Sequence, residues 1–113
     1  MRIRRSRLAE LGAVADKEGR DVAHQYEQSL SHPLRLSIFR LAVRRGQTSP
    51  ARASRALDEK LKRVAYHTKV LNEAGLLTLA TTRKISNTIV HVYAPVPAAL
   101  EHPVVKDFLR KSD

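Results

Sequence analysis

Residues 61–75, LKRVAYHTKVLNEAG, read as a helix with two unlike sides. Leu61, Val64, Thr68 and Leu71 recur at helical spacing and form a stripe to bury, with Ala74 near its edge. The opposite side carries Lys62, Tyr66 and Lys69, with Arg63 and Ala65 on its flanks. Gly75 ends the helix, and Leu76-Leu77 begins an extended segment. A helix held on one side and bearing cations and a phenol on the other is a candidate reader of nucleic acid. An ordinary solvated surface helix is the plainer alternative.

The sequence just upstream favours the reader. Thr48-Ser49-Pro50 opens a short helix, with Ser49 as N-cap and Pro50 in the first position. Its expected buried side is Ala53, Ala56 and Leu57, and Asp58-Glu59-Lys60 turns the chain into Leu61. Two short helices joined by such a turn, the second exposing polar side chains, make a helix-turn-helix. Arg52 falls in the first turn, where the helix dipole disfavours a cation unless an anion sits nearby; a long exposed arginine tolerating the site is the alternative. Further upstream, Ser31-His32-Pro33 starts another helix, with Ser31 or His32 as cap. Leu34, Ile38, Leu41 and Ala42 lie on one side with Phe39 beside them, and Arg44-Arg45-Gly46 closes it. His32 is read as structural.

Downstream the periodicity changes. Leu76–Arg83 and Thr88–Ala94 are rich in β-branched and aromatic residues and read as two strands. Lys84-Ile85-Ser86-Asn87 is the expected turn, with Asn87 taking positive φ, and Arg83 and Lys84 lie near its tip. A hairpin in this place is a wing. Pro95-Val96-Pro97 ends it, and Pro103 begins a last helix with Val104, Val105, Phe108 and Leu109 on one side.

At the N-terminus, residues 1–7 hold four arginines and no acid and read as a basic arm or a solubilising tail. Residues 8–30 carry two amphipathic pieces, Leu8, Leu11, Val14 and Ala15, then Val22, Tyr26 and Ser29-Leu30, with Gly19 between them. Together with the last helix they offer more apolar surface than so small a core needs. Homodimerisation through the terminal helices is one use for it, and packing back on the same domain is the other.

Composition narrows the partner. The chain of 113 residues is read as one domain with no run apolar enough to span a bilayer and no signal peptide. It contains no cysteine, which removes disulfides and thiolate metal sites and fits a cytoplasmic location. Of the net charge of +10, residues 40–69 supply +7, nine bases against two acids. Concentrated cationic charge favours a polyanion, through release of its condensed counterions. A membrane surface requires a free apolar face opposite the charge, and here that face belongs to the core. No Gly-rich phosphate loop, cysteine nucleophile or His/acid grouping at catalytic spacing points to an enzyme.

From Leu30 to about Tyr93 the order of these signals resembles the ArsR-type winged helix-turn-helix transcription regulators. The residues that carry the resemblance are Leu30-Ser31-His32-Pro33-Leu34-Arg35, then Ser49-Pro50-Ala51 with Ala53 and Leu57, and above all Val64–Leu76. The resemblance implies a mainly α fold with a small antiparallel β-hairpin, arranged as a winged helix-turn-helix. It also implies a dimeric, double-stranded DNA-binding regulator, a repressor, with helix 61–74 in the major groove and the wing 77–94 on the backbone. Metal-sensing members use cysteines or paired acid and histidine ligands. His24, His32, His67, His91 and His102 show no such pairing in sequence, so no metal and no cofactor is expected, and no particular small-molecule effector is indicated. Lys60 and Lys62 stand where small polar residues are usual, which shifts weight from base edges to phosphates.

The expected organisation is therefore a basic arm (1–7), an N-terminal helical segment (8–30), a DNA-binding domain (31–95) and a C-terminal helix (96–113). Lys62, Arg63 and Tyr66 are expected nearest the bases, with Ala65 admitting close approach. Ser49, Arg52, Lys60, Lys69, Arg83 and Lys84 are expected on phosphates. His67 lies at the edge of the buried stripe, where packing is its usual role, and it completes the candidate DNA-contacting set. An architectural or weakly specific DNA-binding protein, or a winged-helix protein-interaction module, is the alternative.

Overall fold

A computed structural model describes residues 21–111; the basic arm and residues 8–20 of the N-terminal segment lie outside the described residues. Residues 21–30 are helical (α1). There follow α2 (Pro33–Arg45), α3 (Pro50–Leu57), α4 (Leu61–Glu73), β1 (Leu77–Ile85), β2 (Thr88–Pro95), α5 (Pro97–Leu100) and α6 (Pro103–Arg110). The fold is mainly α with one antiparallel hairpin, a winged helix-turn-helix.

Punctuation in the sequence explains the element boundaries. Proline opens α2, α3, α5 and α6, where its missing N–H costs nothing. Histidine caps two of these helices: His32 Nδ1 accepts from Leu34 N–H and His102 Nδ1 from Val104 N–H, each at 3.2 Å. Ser49 Oγ caps α3 by accepting from Arg52 N–H. After α4 the chain leaves through a Schellman motif. Leu76 N–H bonds Leu71 O at 3.0 Å and Gly75 N–H bonds Asn72 O at 3.2 Å, with Gly75 at φ 82°, where a side chain would be strained. Between α3 and α4, Asp58 takes the left-handed conformation (φ 55°), one that aspartate tolerates. Ser54 locks this turn, its Oγ donating to Glu59 O at 2.5 Å and its carbonyl accepting from Glu59 N–H at 3.0 Å.

The core joins Leu30 of α1, Leu34, Ile38 and Phe39 of α2, Ala53 of α3, Val64 and Leu71 of α4, and Leu76-Leu77 at the start of β1. Phe39, Ile38, Val64 and Leu71 are fully buried. The hairpin pairs Leu77 with Pro95 through Ile85 with Thr88, with a bulge between Leu79 and Thr81 that leaves Ala80 without a partner. Thr48 adds a single bridge on the far side of β2, exchanging bonds of 2.8 and 2.7 Å with Tyr93.

Several expectations need correction. Leu61 is 53% exposed, because the first residue of α4 projects beyond the α2 surface that buries Val64. Ala56 is exposed, leaving Ala53 as the buried residue of α3. The hairpin turn is only Ser86-Asn87, and Ser86, not Asn87, has positive φ (57°). The strands therefore run on through Lys84 and Ile85. The four-residue α5 was not foreseen; it reverses the chain after Pro95 and buries Ala99. Among the described residues of the terminal helices, Tyr26, Leu30 and Val105 are buried, and Val104, Phe108 and Leu109 pack against the core. The edge of the Tyr26 ring meets the His102 ring at 5.1 Å, and Arg40 Nη2 donates to Phe108 O at 3.2 Å, tying α6 back to α1 and α2. Among the described residues, no helix is long and apolar enough to cross a membrane.

Candidate nucleic-acid interface

Helix α4 is fixed by one side. Val64, Thr68 and Leu71 are buried, and the Thr68 hydroxyl is satisfied within the helix, donating to Val64 O at 2.8 Å. The other side is open: Lys62, Ala65, Tyr66 and Lys69 are all exposed, Tyr66 by 61%. Spaced at i, i+3, i+4 and i+7, they form one strip. Lys60, the N-cap of α4, makes no side-chain capping bond and is exposed beside that strip. Arg63 stands on the flank, 3.4 Å from Glu59 in an exposed i, i+4 pair that contributes little and leaves the guanidinium free to swing.

His67 does not belong to the exposed face. It is 8% exposed, and its Nδ1 lies 3.2 Å from Arg35 Nη1 while its ring sits 4.3 Å from the His32 ring and 5.1 Å from the Tyr66 ring. Arg35 uses its Nε to bond Ser29 O at 2.8 Å. One arginine of α2 thus ties the last turn of α1 to the middle of α4. The role this geometry gives His67 is to orient the helix from within. Its pairing with Arg35 across 32 positions left no local trace in the sequence. Nor did the His32–His67 approach, which no regular spacing encodes. Among the described residues, no group of three or more His, Cys, Asp or Glu is placed to hold a metal ion.

Burial first, and then the neighbouring His32, Arg35 and Arg63, push the His67 pKa below its ordinary value. The stability consequence has a definite sign. Above the ordinary histidine range of about 6.5, neither folded nor unfolded chain carries this proton and the group is neutral in effect. As pH falls below it, the unfolded chain takes up the proton first, so stability drops until the lowered folded value is passed. The urea midpoint is therefore expected to fall between mildly alkaline and mildly acidic pH, and to fall less in His67→Gln. Equal falls in the two proteins would remove His67 from the cause.

The remaining candidates divide. Ser49 is 6% exposed and its hydroxyl oxygen accepts the α3 capping bond, which leaves its side chain little surface to offer a ligand. Arg83 and Lys84 are exposed but occupy successive strand positions, opposite Val90 and Ile89, so they point to opposite faces of the wing. Arg83 turns toward α3, where it lines a groove of about 410 Å³ together with Arg52 and Arg55. Arg55 was not among the residues expected from the sequence; its i, i+3 spacing from Arg52 was the available signal.

No family model and no curated protein matches the sequence. Solved structures do match. Reduced HlyU from Vibrio cholerae N16961 superposes with TM-score 0.59 at 19% identity, over 85% of this chain and 90% of that one. The transcriptional repressor BigR from Xylella fastidiosa gives 0.56 at 22% identity, over 85% and 87%. A transcriptional regulator HlyU from Vibrio vulnificus CMCP6 gives 0.55 at 19% identity, over 89% and 92%. At these identities the likeness is one of architecture: this chain has the winged helix-turn-helix fold of those structures.

Proposed function

We propose that the protein is a double-stranded DNA-binding transcription regulator of the ArsR type, acting as a repressor. The observation that carries this is α4 itself: Lys62, Ala65, Tyr66 and Lys69 stand outward on a helix whose opposite side buries Val64, Thr68 and Leu71. A helix so held admits its outer strip to a major groove without repacking the core. Lys62 and Tyr66, with Arg63 released from Glu59, are the base-reading candidates; Lys60, Lys69, Arg52, Arg83 and Lys84 are the phosphate candidates. The fold shared with transcription regulators supports the same reading. A homodimer formed through the terminal helices completes it, using residues 8–20 and the half-buried Val22, Val104 and Phe108. Two α4 helices would then meet two half-sites about one helical turn apart.

Selection of duplexes from a random pool by the purified protein tests this directly. The expected result is a palindromic site whose half-sites lie roughly 10 base pairs apart, bound with steep salt dependence. A folded protein that shifts no duplex in moderate salt would instead be a protein-interaction module.

A further inference from the structure

The groove between α3 and the hairpin has a composition that the helix-turn-helix alone does not call for. Three guanidinium groups line it, Arg52 and Arg55 from one side of α3 and Arg83 from β1, and no acidic residue does. None of the three forms an ion pair among the described residues, whose bridges are Arg63–Glu59, Lys106–Glu101 and Arg110–Asp107. Arg52 also stands in the first turn of α3, where the positive end of the helix dipole disfavours it. Three like charges around one groove, one of them at an unfavourable helix position, are relieved together by an anion. The rest of the lining has a second character. Val90, Val92 and Ile85 supply aliphatic surface, while Thr88 and Gln47 supply hydrogen-bonding groups. Charged rim and aliphatic floor match a strand that alternates phosphate with deoxyribose.

We propose that this groove seats the sugar–phosphate backbone of duplex DNA, with Arg55 as a phosphate contact alongside Arg52 and Arg83. The inference rests on the DNA-binding reading above, which already gives Arg52 and Arg83 to phosphates, and adds to it the groove between them and Arg55. Arginine suits the task because its planar fork bonds phosphate oxygens in pairs. Such contacts carry no base information, so they add affinity to every sequence equally.

The test uses the full chain, the selected duplex and a random duplex, with affinity measured across a salt series. Arg55→Gln is expected to weaken both duplexes by the same factor and to make the salt slope shallower by about 1. Arg55→Lys is expected to retain most of the slope, because the charge remains. Unchanged affinity and slope in Arg55→Gln, with wild-type protein still binding DNA, would overturn the groove and leave the DNA-binding reading standing. Wild-type protein that binds neither duplex would overturn both. A thermal midpoint raised by inorganic phosphate in the wild type but not in Arg55→Gln, with DNA binding unchanged, would overturn the backbone assignment in favour of a free-anion site.

Discussion

Leu71→Ala is expected to lower the free energy of unfolding by about 2–5 kcal/mol, the range for truncating a buried leucine in a core that cannot fully collapse. Leu71 is fully buried in the same cluster as Ile38, Phe39 and Val64, and its carbonyl accepts the Leu76 N–H that closes α4. The side chain therefore anchors the C-terminal half of α4 at the point where the chain turns into the wing. Removing it opens a cavity between α2 and α4 and loosens the joint between helix and hairpin together. Lys69→Ala, two positions away and exposed, is expected to change stability by no more than about 0.5 kcal/mol. Urea denaturation of both variants checks the contrast. A cost for Leu71→Ala as small as that for Lys69→Ala would mean that α4 is not held through this side. For a domain whose total stability is of order 5–15 kcal/mol, the larger loss leaves the fold marginal, so the DNA affinity of Leu71→Ala should fall without any contact being touched.

What the sequence revealed, and what it hid, follows from how each feature is encoded. Local signals were readable. Pro33, Pro50 and Pro103 mark helix starts, Gly46 and Gly75 mark helix ends, and the change from helical to alternating periodicity after Gly75 announces the hairpin. The outward strip of α4 was readable for the same reason, since Lys62, Ala65, Tyr66 and Lys69 are simply the residues left when Val64, Thr68 and Leu71 are turned inward. Errors arose where a neighbour distant in sequence decides. Leu61 has the right spacing to be buried and is exposed, because α2 offers nothing opposite the first residue of α4. His67 was expected at the edge of the buried stripe and is buried, but its partners Arg35 and His32, from α2 and its cap, could not be read from the sequence. Arg83 and Lys84 looked equivalent at a loop tip and lie on opposite faces, because the turn is two residues shorter than composition suggested. The groove was hidden altogether. Arg52, Arg55 and Arg83 are each unremarkable, and only the packing of β2 against α3 brings them together.

Within the exposed strip, Tyr66→Ala is expected to weaken binding to the selected site by about 1–3 kcal/mol, roughly 5- to 150-fold, while leaving random duplex nearly unaffected. The side chain is well suited to reading a base edge. It is 61% exposed at the middle of α4, and its ring leans on the buried His67 ring at 5.1 Å, which limits its freedom before binding. His67 is in turn held by Arg35. Preorganisation of this kind reduces the entropy lost on docking, so its effect appears in affinity for the one sequence that fits. Tyr66→Phe separates the two parts of the residue: a loss matching Tyr66→Ala assigns the contact to the hydroxyl, and retained binding assigns it to the ring. Arg63→Ala is expected to act in the same direction. Its guanidinium must leave Glu59, but an exposed pair at 3.4 Å offers little resistance, whereas a paired contact to guanine is worth about 1–3 kcal/mol. Glu59→Gln is the informative companion, since it frees Arg63 in advance and should tighten binding slightly. Equal losses on selected and random duplex for both Tyr66→Ala and Arg63→Ala would place these residues on the backbone. The cationic strip of α4 would then bind by charge alone, and sequence preference would have to come from the deformability of the DNA.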